Sequence, residues 1–251
     1  MRFARACYLF VCDLKQALKE LRIIIDCMPH DEIVRCKNGE GLICVGKVVE
    51  GLKQFEIAIS MNEGMKGNIE AWKGEMYLMM GEYKKALKSL EIAVQLNAPL
   101  ALCWRGAALF KSGHIQEGLK DLRHVVKKFP KDREARVWMA EILRTLGKFN
   151  ESFEHLNFIL KSSPDYDFAF FNRALLYYET GDYTSMLEDF SRIDIKLKSV
   201  ILDRLKIKPI TKFSHGQIYK ILKGGLEMAK GNRRHEKYFL RIQFPVYTNI
   251  G

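Results

Sequence analysis

The stretch AWKGEMYLMMGEYKKAL, from Ala71 to Leu87, has a Trp two residues before a Gly and a second Gly seven residues after the first. A Gly inside a helical pattern costs about 1 kcal/mol relative to Ala, so two of them need a structural reason. Apolar side chains recur at helical spacing both before and after Gly81. Gly81 therefore predicts a turn between two helices, because Gly adopts the left-handed conformation at low cost.

The spacing of nine residues between the Trp and the turn Gly recurs along the chain. Four pairs keep it: Trp72 and Gly81, Trp104 and Gly113, Trp138 and Gly147, and Asn172 and Gly181. These glycines are 32, 34 and 34 residues apart, and Gly46 and Cys12 continue the series backwards. Four prolines at matching places end the units: Pro29, Pro99, Pro130 and Pro164. A period near 34 residues predicts a repeat architecture with two helices in each unit.

The other glycine of the opening stretch, Gly74, belongs to a series of small residues. On the first helix of each unit the equivalents are Gly74, Gly106, Ala140 and Ala174, and on the second Ala17, Gly51, Ala86, Gly118 and Ser152. Small residues at both places predict that the two helices approach closely, with bulky neighbours around them. Met186 takes this place in the sixth unit, which predicts altered packing there.

These motifs resemble the tetratricopeptide repeat family. Gly74, Tyr77, Gly81, Tyr83 and Ala86 lie where that family has signature residues, although the Trp is shifted by two places. The resemblance covers six units, at about 1–30, 31–65, 66–98, 99–132, 133–166 and 167–194. It implies an all-α fold in which helix-turn-helix repeats stack into a right-handed superhelical solenoid.

The C-terminal part of the chain differs from the rest in charge. The net charge is +11, and residues 196–251 contribute +10 of it, from 13 basic and 3 acidic residues. We interpret residues 195–213 as a basic insertion and residues 214–251 as a divergent seventh repeat or a C-terminal cap. Gly224 and Gly231 repeat the seven-residue spacing, and Ser214 with Gln217 resembles a capping box.

The resemblance implies a protein-protein interaction scaffold whose first helices line a concave groove. We expect the groove to hold a peptide or a helical segment of a partner, since aromatic anchors give large contact areas with few rotors. The candidate groove residues are Trp72, Trp104, Trp138, Asn172, Phe110, Arg144, Phe171 and Tyr178, and the resemblance also implies Glu75, Glu141 and Glu179 on this face. A second interpretation stays open, in which the Trp series is core between successive repeats.

The five-residue carboxylate clamp of some tetratricopeptide domains is incomplete in this sequence. Asn172 and Arg173 match it, but Val137 and Glu141 stand where a Lys and an Asn are needed. No catalytic motif accompanies the six histidines, and no pair of cysteines has metal-ligand spacing. We therefore predict no enzyme activity, no cofactor and no metal, with the cysteines as small apolar side chains in a reducing compartment, the cytoplasm.

The alternative function is an adaptor that binds nucleic acid or an anionic surface through the basic C-terminal part. The candidate basic patch consists of Lys220, Lys223, Lys230, Arg233, Arg234, Lys237 and Arg241. A weaker option is a targeting module of a larger enzyme or secretion system. No apolar run is long enough for a transmembrane helix, and we interpret the first residues as an amphipathic helix rather than a signal peptide.

Overall fold

A computed structural model of the chain describes residues 2–193. These residues form α-helices and one short 3-10 helix, with no β-strand in the described range. The α-helices are α1 (Arg2–Cys12), α2 (Leu14–Cys27), α3 (Glu32–Cys44), α4 (Val48–Met61), α5 (Lys66–Met79), α6 (Tyr83–Gln95), α7 (Ala101–Lys111), α8 (Ile115–Lys128), α9 (Arg133–Thr145), α10 (Phe149–Ser162), α11 (Asp167–Thr180) and α12 (Tyr183–Arg192). The predicted all-α fold of paired helices is therefore confirmed.

The predicted turn glycines end the first helices of the repeats. Five of them have left-handed backbone, with φ between +73° and +94°: Gly46, Gly81, Gly113, Gly147 and Gly181. At Gly81, the amide of Glu82 donates to the carbonyl of Tyr77 at 2.9 Å, so the last turn of α5 is closed by a backbone bond. The first unit differs, because α1 and α2 are separated by Asp13 alone, and its carboxylate caps α2 through the amide of Gln16.

Close helix packing explains the small residues inside the helices. A Cβ atom at Gly74 would lie 2.5 Å from Cγ of Leu90, and one at Gly51 would lie 2.6 Å from the carbonyl oxygen of Gly39. Ser152 is tolerated at the equivalent place because its hydroxyl donates to the carbonyl oxygen of Ala140 at 2.8 Å. The predicted close approach within the helix pairs is therefore confirmed.

The described residues belong to two compact units, 2–105 and 106–193, and the division falls within α7. In the N-terminal unit, helices α1 to α6 pack in sequence order, each on its neighbour. One of its cores joins Cys36, Phe55, Ala58, Ile69 and Met76. The second repeat has no Pro at its end, and the 3-10 helix Glu63–Met65 leads into α5 instead.

In the C-terminal unit, helices α8 to α12 also pack in sequence order. Its core is rich in aromatic side chains, among them Phe168, Phe170, Phe171 and Phe190. Met186, which replaces the small residue of the sixth repeat, is 3% exposed and belongs to this core. The core of the C-terminal unit thus accommodates the larger side chain of Met186.

The thiols are distributed between core and surface. Cys7, Cys36 and Cys103 are buried, Cys44 is half-buried and Cys27 is exposed, and none of these five is in a disulfide bond. Burial raises the pKa of Cys36 to about 12.

None of the helices between residues 2 and 193 combines the length and the apolar character needed to cross a bilayer.

Candidate protein-binding face

The Trp residues share a register on α5, α7 and α9 but differ in burial. Trp104 and Trp138 are each 1% exposed, whereas Trp72 is half-buried. Phe110 and Phe171, which we placed in the same groove, are 8% and 2% exposed. The sequence left open whether the Trp series lines a groove or forms core between successive repeats. The burial of Trp104 and Trp138 corresponds to core, so neither ring is accessible as an anchor.

In the N-terminal unit, Trp72 lies beside a charged pair on α3. Lys37 forms an ion pair with Glu40 at 2.7 Å, and its Nζ atom lies 5.4 Å from the centre of the Trp72 ring. Phe55 contacts the same ring edge-on, at 6.1 Å between ring centroids. Lys37 precedes Gly46 by nine residues, so it occupies the place of the Trp in its own repeat. That spacing is visible in the sequence, but a Lys in place of a Trp did not indicate a groove residue.

A second charged group of the N-terminal unit lies on α5. Nζ of Lys73 is 2.7 Å from Glu70 and 3.0 Å from Glu56. Burial alone lowers the pKa of Lys73, but hydrogen bonds to both carboxylates outweigh it and raise the pKa. The Oε2 atom of Glu70 is buried and has no hydrogen-bond partner within the described range. This ionic group holds α4 and α5 together.

In the C-terminal unit, Arg144 joins two first helices through carboxylates. Its guanidinium donates to Glu141 on α9 at 3.1 Å and to Glu179 on α11 at 2.6 Å. Burial alone raises the pKa of Glu141, but the charges of Arg144 and Lys111 outweigh it and lower the pKa. Glu141 is therefore ionised at neutral pH, and Arg144 bridges neighbouring repeats.

Lys111, at the end of α7, completes this charged cluster. Its Nζ atom lies 5.7 Å from the centre of the Trp138 ring and 5.3 Å from that of Phe110. The residue is half-buried, and it has no ion pair or hydrogen bond with another residue of the described part. We call Lys111, Glu141, Arg144 and Glu179 the ionic cluster; only Lys111 was absent from the residues that the sequence analysis placed near the groove.

The remaining candidate residues lie on α11. Asn172 is 3% exposed and donates to the carbonyl oxygen of Phe168 at 2.8 Å, so its amide supports the helix. Tyr178 is half-buried and contacts Tyr183 edge-on, at 6.0 Å between centroids. Arg173 donates to both oxygens of Asp189 at 2.6 Å, which ties α11 to α12. This engagement of Arg173 adds a physical reason why the carboxylate clamp is incomplete.

Two further predictions concern other parts of the chain. The candidate basic patch from Lys220 to Arg241 lies outside the described residues. Between residues 2 and 193, no group of three His, Cys, Asp or Glu side chains could hold a metal ion.

Comparisons with known proteins identify the fold. No protein-family model and no curated protein matches the chain. Among solved structures, it is similar to a tetratricopeptide repeat protein from Parabacteroides merdae, at 20% identity and a TM-score of 0.58, over 96% of this chain and 98% of that one. It is similar to PilW, a type IV pilus biogenesis factor, at 12% identity and a TM-score of 0.59, over 80% and 96%. It is also similar to the APC/C Cut9–Hcn1 hetero-tetramer, at 16% identity and a TM-score of 0.63, over 90% of this chain and 42% of that one.

Proposed function

From the tetratricopeptide repeat fold of this chain, we propose that it is a non-enzymatic scaffold that binds a segment of another protein on its first helices. In the C-terminal unit this face carries the ionic cluster together with Tyr178. In the N-terminal unit it carries Trp72 with Lys37 and Glu40. A bound segment would be a peptide or a helix, held by polar contacts beside a partly accessible aromatic ring.

The ionic cluster is the observation that carries the proposal. Arg144 and Glu141 are only 6% and 4% exposed at their side chains, and burying such charges costs more than packing apolar residues of similar volume. A requirement for stability alone would not select them at a helix face. A requirement for recognition explains them, because fixed charges discriminate between partners.

The accessible members of the cluster allow a direct test. Lys111→Gln with Glu179→Gln leaves the net charge of the chain unchanged and spares the buried pair. The matched control is Glu154→Gln with Lys161→Gln on α10, where both side chains are exposed. Affinity capture with the full chain, followed by mass spectrometry, should lose a partner with the first variant and keep it with the control. Capture of an identical set of proteins by both variants would refute this face.

The alternative function, an adaptor for nucleic acid or an anionic surface, rests on the +10 charge of residues 196–251. Deleting that segment should then abolish binding and its steep salt dependence. Binding that persists after the deletion would assign it to residues 1–195.

A further inference from the structure

The outward face of α8, in the C-terminal unit, is strongly basic. Lys120, Arg123 and Lys127 are exposed and follow one another at spacings of three and four residues, so they lie along one side of the helix over about 10 Å. Lys131 is exposed three residues after the end of the helix. Within the described range, none of the four forms an ion pair or a hydrogen bond. We call them the α8 ridge.

The other second helices of this unit do not share this character. The exposed face of α10 carries Glu151 and Glu154 and has Lys148 paired with Glu151 at 2.9 Å. On α12, Arg192 is paired with Glu188 at 2.8 Å. The α8 ridge is therefore a local concentration of positive charge without ion pairs in the described part of the C-terminal unit, with Glu117 as an exposed acid one turn before Lys120, and α10 and α12 do not share it.

Two exposed aromatic rings adjoin the end of the ridge. Phe129 directly follows α8 and is 48% exposed, and Phe158 on α10 is 40% exposed. Arg136 connects them: its Nε donates to the carbonyl oxygen of Pro130 at 2.6 Å, and its Cζ lies 3.7 Å from the centre of the Phe158 ring. The Phe129 ring has Nζ of Lys128 at 5.5 Å from its centre.

This arrangement has the two components that single-stranded nucleic acid requires. Cations spaced along a ridge contact successive phosphates, and aromatic rings or Arg planes stack on bases. We propose that the α8 ridge, with Phe129 and the Arg136–Phe158 stack, binds single-stranded nucleic acid. None of its residues belongs to the ionic cluster or to residues 196–251.

An anionic membrane is a weaker match for the same surface. Insertion of Phe158 into acyl chains would bury the guanidinium of Arg136, which lies 3.7 Å above the ring. Insertion of Phe129 would carry Lys128 with it. Desolvation of these cations opposes insertion, whereas a base stacks on a guanidinium plane without burying its charge.

The test measures fluorescence anisotropy of a labelled 20-nucleotide oligouridylate with the full chain at 50 and 200 mM KCl. The ridge variant carries Gln in place of Lys120, Arg123, Lys127 and Lys131. The matched control carries Gln in place of Lys15, Lys19, Lys84 and Lys88, which are exposed on second helices of the N-terminal unit. Both variants lower the net charge by four, and circular dichroism checks their fold. In a third variant, Phe129→Leu, the stacking ring is lost while an apolar side chain remains.

We expect the ridge variant to lose most of the affinity and to reduce the slope of log K against log salt by about 2.8, for four phosphate contacts on a single strand. The control should keep the slope, and Phe129→Leu should weaken binding by about fivefold or more. Equal losses in the ridge and control variants would overturn the proposal, because binding would then follow net charge alone. The proposal would also be overturned if the ridge variant bound oligouridylate as tightly as the parent. It would be overturned as well if the full chain bound vesicles with 30% phosphatidylserine and did not bind oligouridylate.

Discussion

Two corners of the molecule, residues 29–35 (PHDEIVR) and residues 130–136 (PKDREAR), are built from the same pattern. In each, an Asp caps the following helix: Asp31 accepts from the amide of Val34 at 2.9 Å, and Asp132 from that of Ala135 at 2.8 Å. In each, an Arg reaches back to the Pro carbonyl oxygen. We call them the N-terminal and C-terminal corners.

The corners differ in what lies across from the Arg. Arg35 donates to Pro29 at 3.0 Å and to Oε1 of Gln54 at 3.4 Å. Arg136 donates to Pro130 at 2.6 Å, and its Nη1 lies 3.2 Å from Nδ1 of His155. Since Arg has only donors, Nδ1 of His155 must accept and must be unprotonated. The same local motif therefore closes both corners, and the residue that faces the Arg from the next helix differs between them.

Replacement of the Arg by Ala should give the largest difference in stability between the two corners. Arg136→Ala loses the bond to Pro130, the contact with His155 and the stack on Phe158, so we expect the free energy of unfolding to fall by about 2–3 kcal/mol. Arg35→Ala loses two hydrogen bonds and should cost about 1–2 kcal/mol. Urea denaturation of the full chain measures both. Equal losses would mean that His155 and Phe158 add nothing to the C-terminal corner.

Glu134 gives the C-terminal corner a pH response that the N-terminal corner, with Ile33 at the same place, lacks. Burial raises the pKa of Glu134 to about 7, and a hydrogen bond from Tyr166 at 2.7 Å offsets only part of this. The folded state thus keeps a proton that the unfolded chain loses, and its stability falls as pH rises from 4.5 to about 7. Glu134→Gln should be more stable than the parent by about 1–2 kcal/mol at pH 8 and equal to it at pH 4. Parallel stability curves from pH 4 to 8 would contradict this.

The smallest expected effect comes from exchanging His155 and Gln54, the residues that face the Arg at each corner. Burial, with a contribution from Arg136, lowers the pKa of His155 to about 4 from 6.5, so the folded state binds fewer protons and loses stability as pH falls through that interval. His155 is partly exposed, so we expect a loss of about 1 kcal/mol. His155→Gln, which copies the N-terminal corner, should abolish this loss, and Gln54→His should create it at the other corner. Hydrogen exchange of the first-turn amides of α9 and α3 between pH 4 and 7 would locate each response; an unchanged α9 profile in His155→Gln would refute the assignment.

Much of the fold follows from local signals in the sequence. Gly81, Gly147 and Gly181 were predicted as turns from their spacing, because the left-handed conformation has a strong preference for Gly. The close approach at Gly74 was predicted from the series of small residues. The turn of the first unit could not be predicted in this way, because it depends on a cap by Asp13 rather than on a Gly.

The candidate site was predicted less completely. Glu141, Arg144 and Glu179 were placed near one face from their register, but their mutual pairing was not. Lys111 was missed, because nothing in its own repeat shows that its ammonium lies over Trp138 of the next repeat. The ion pair between Arg144 and Glu179 joins residues 35 positions apart, and rotamers on two helices decide it.

The sequence by itself determined the helices, their turns and their pairing, since each depends on residues within one period of about 34 positions. The tertiary structure decided which residues of a shared register are accessible. Trp72 and Trp138 have the same spacing to their turn glycines, yet the first is half-buried and the second is 1% exposed. The physical reason is that the burial of a ring depends on the side chains that neighbouring helices place over it. The sequence of one repeat specifies only the side chains of that repeat.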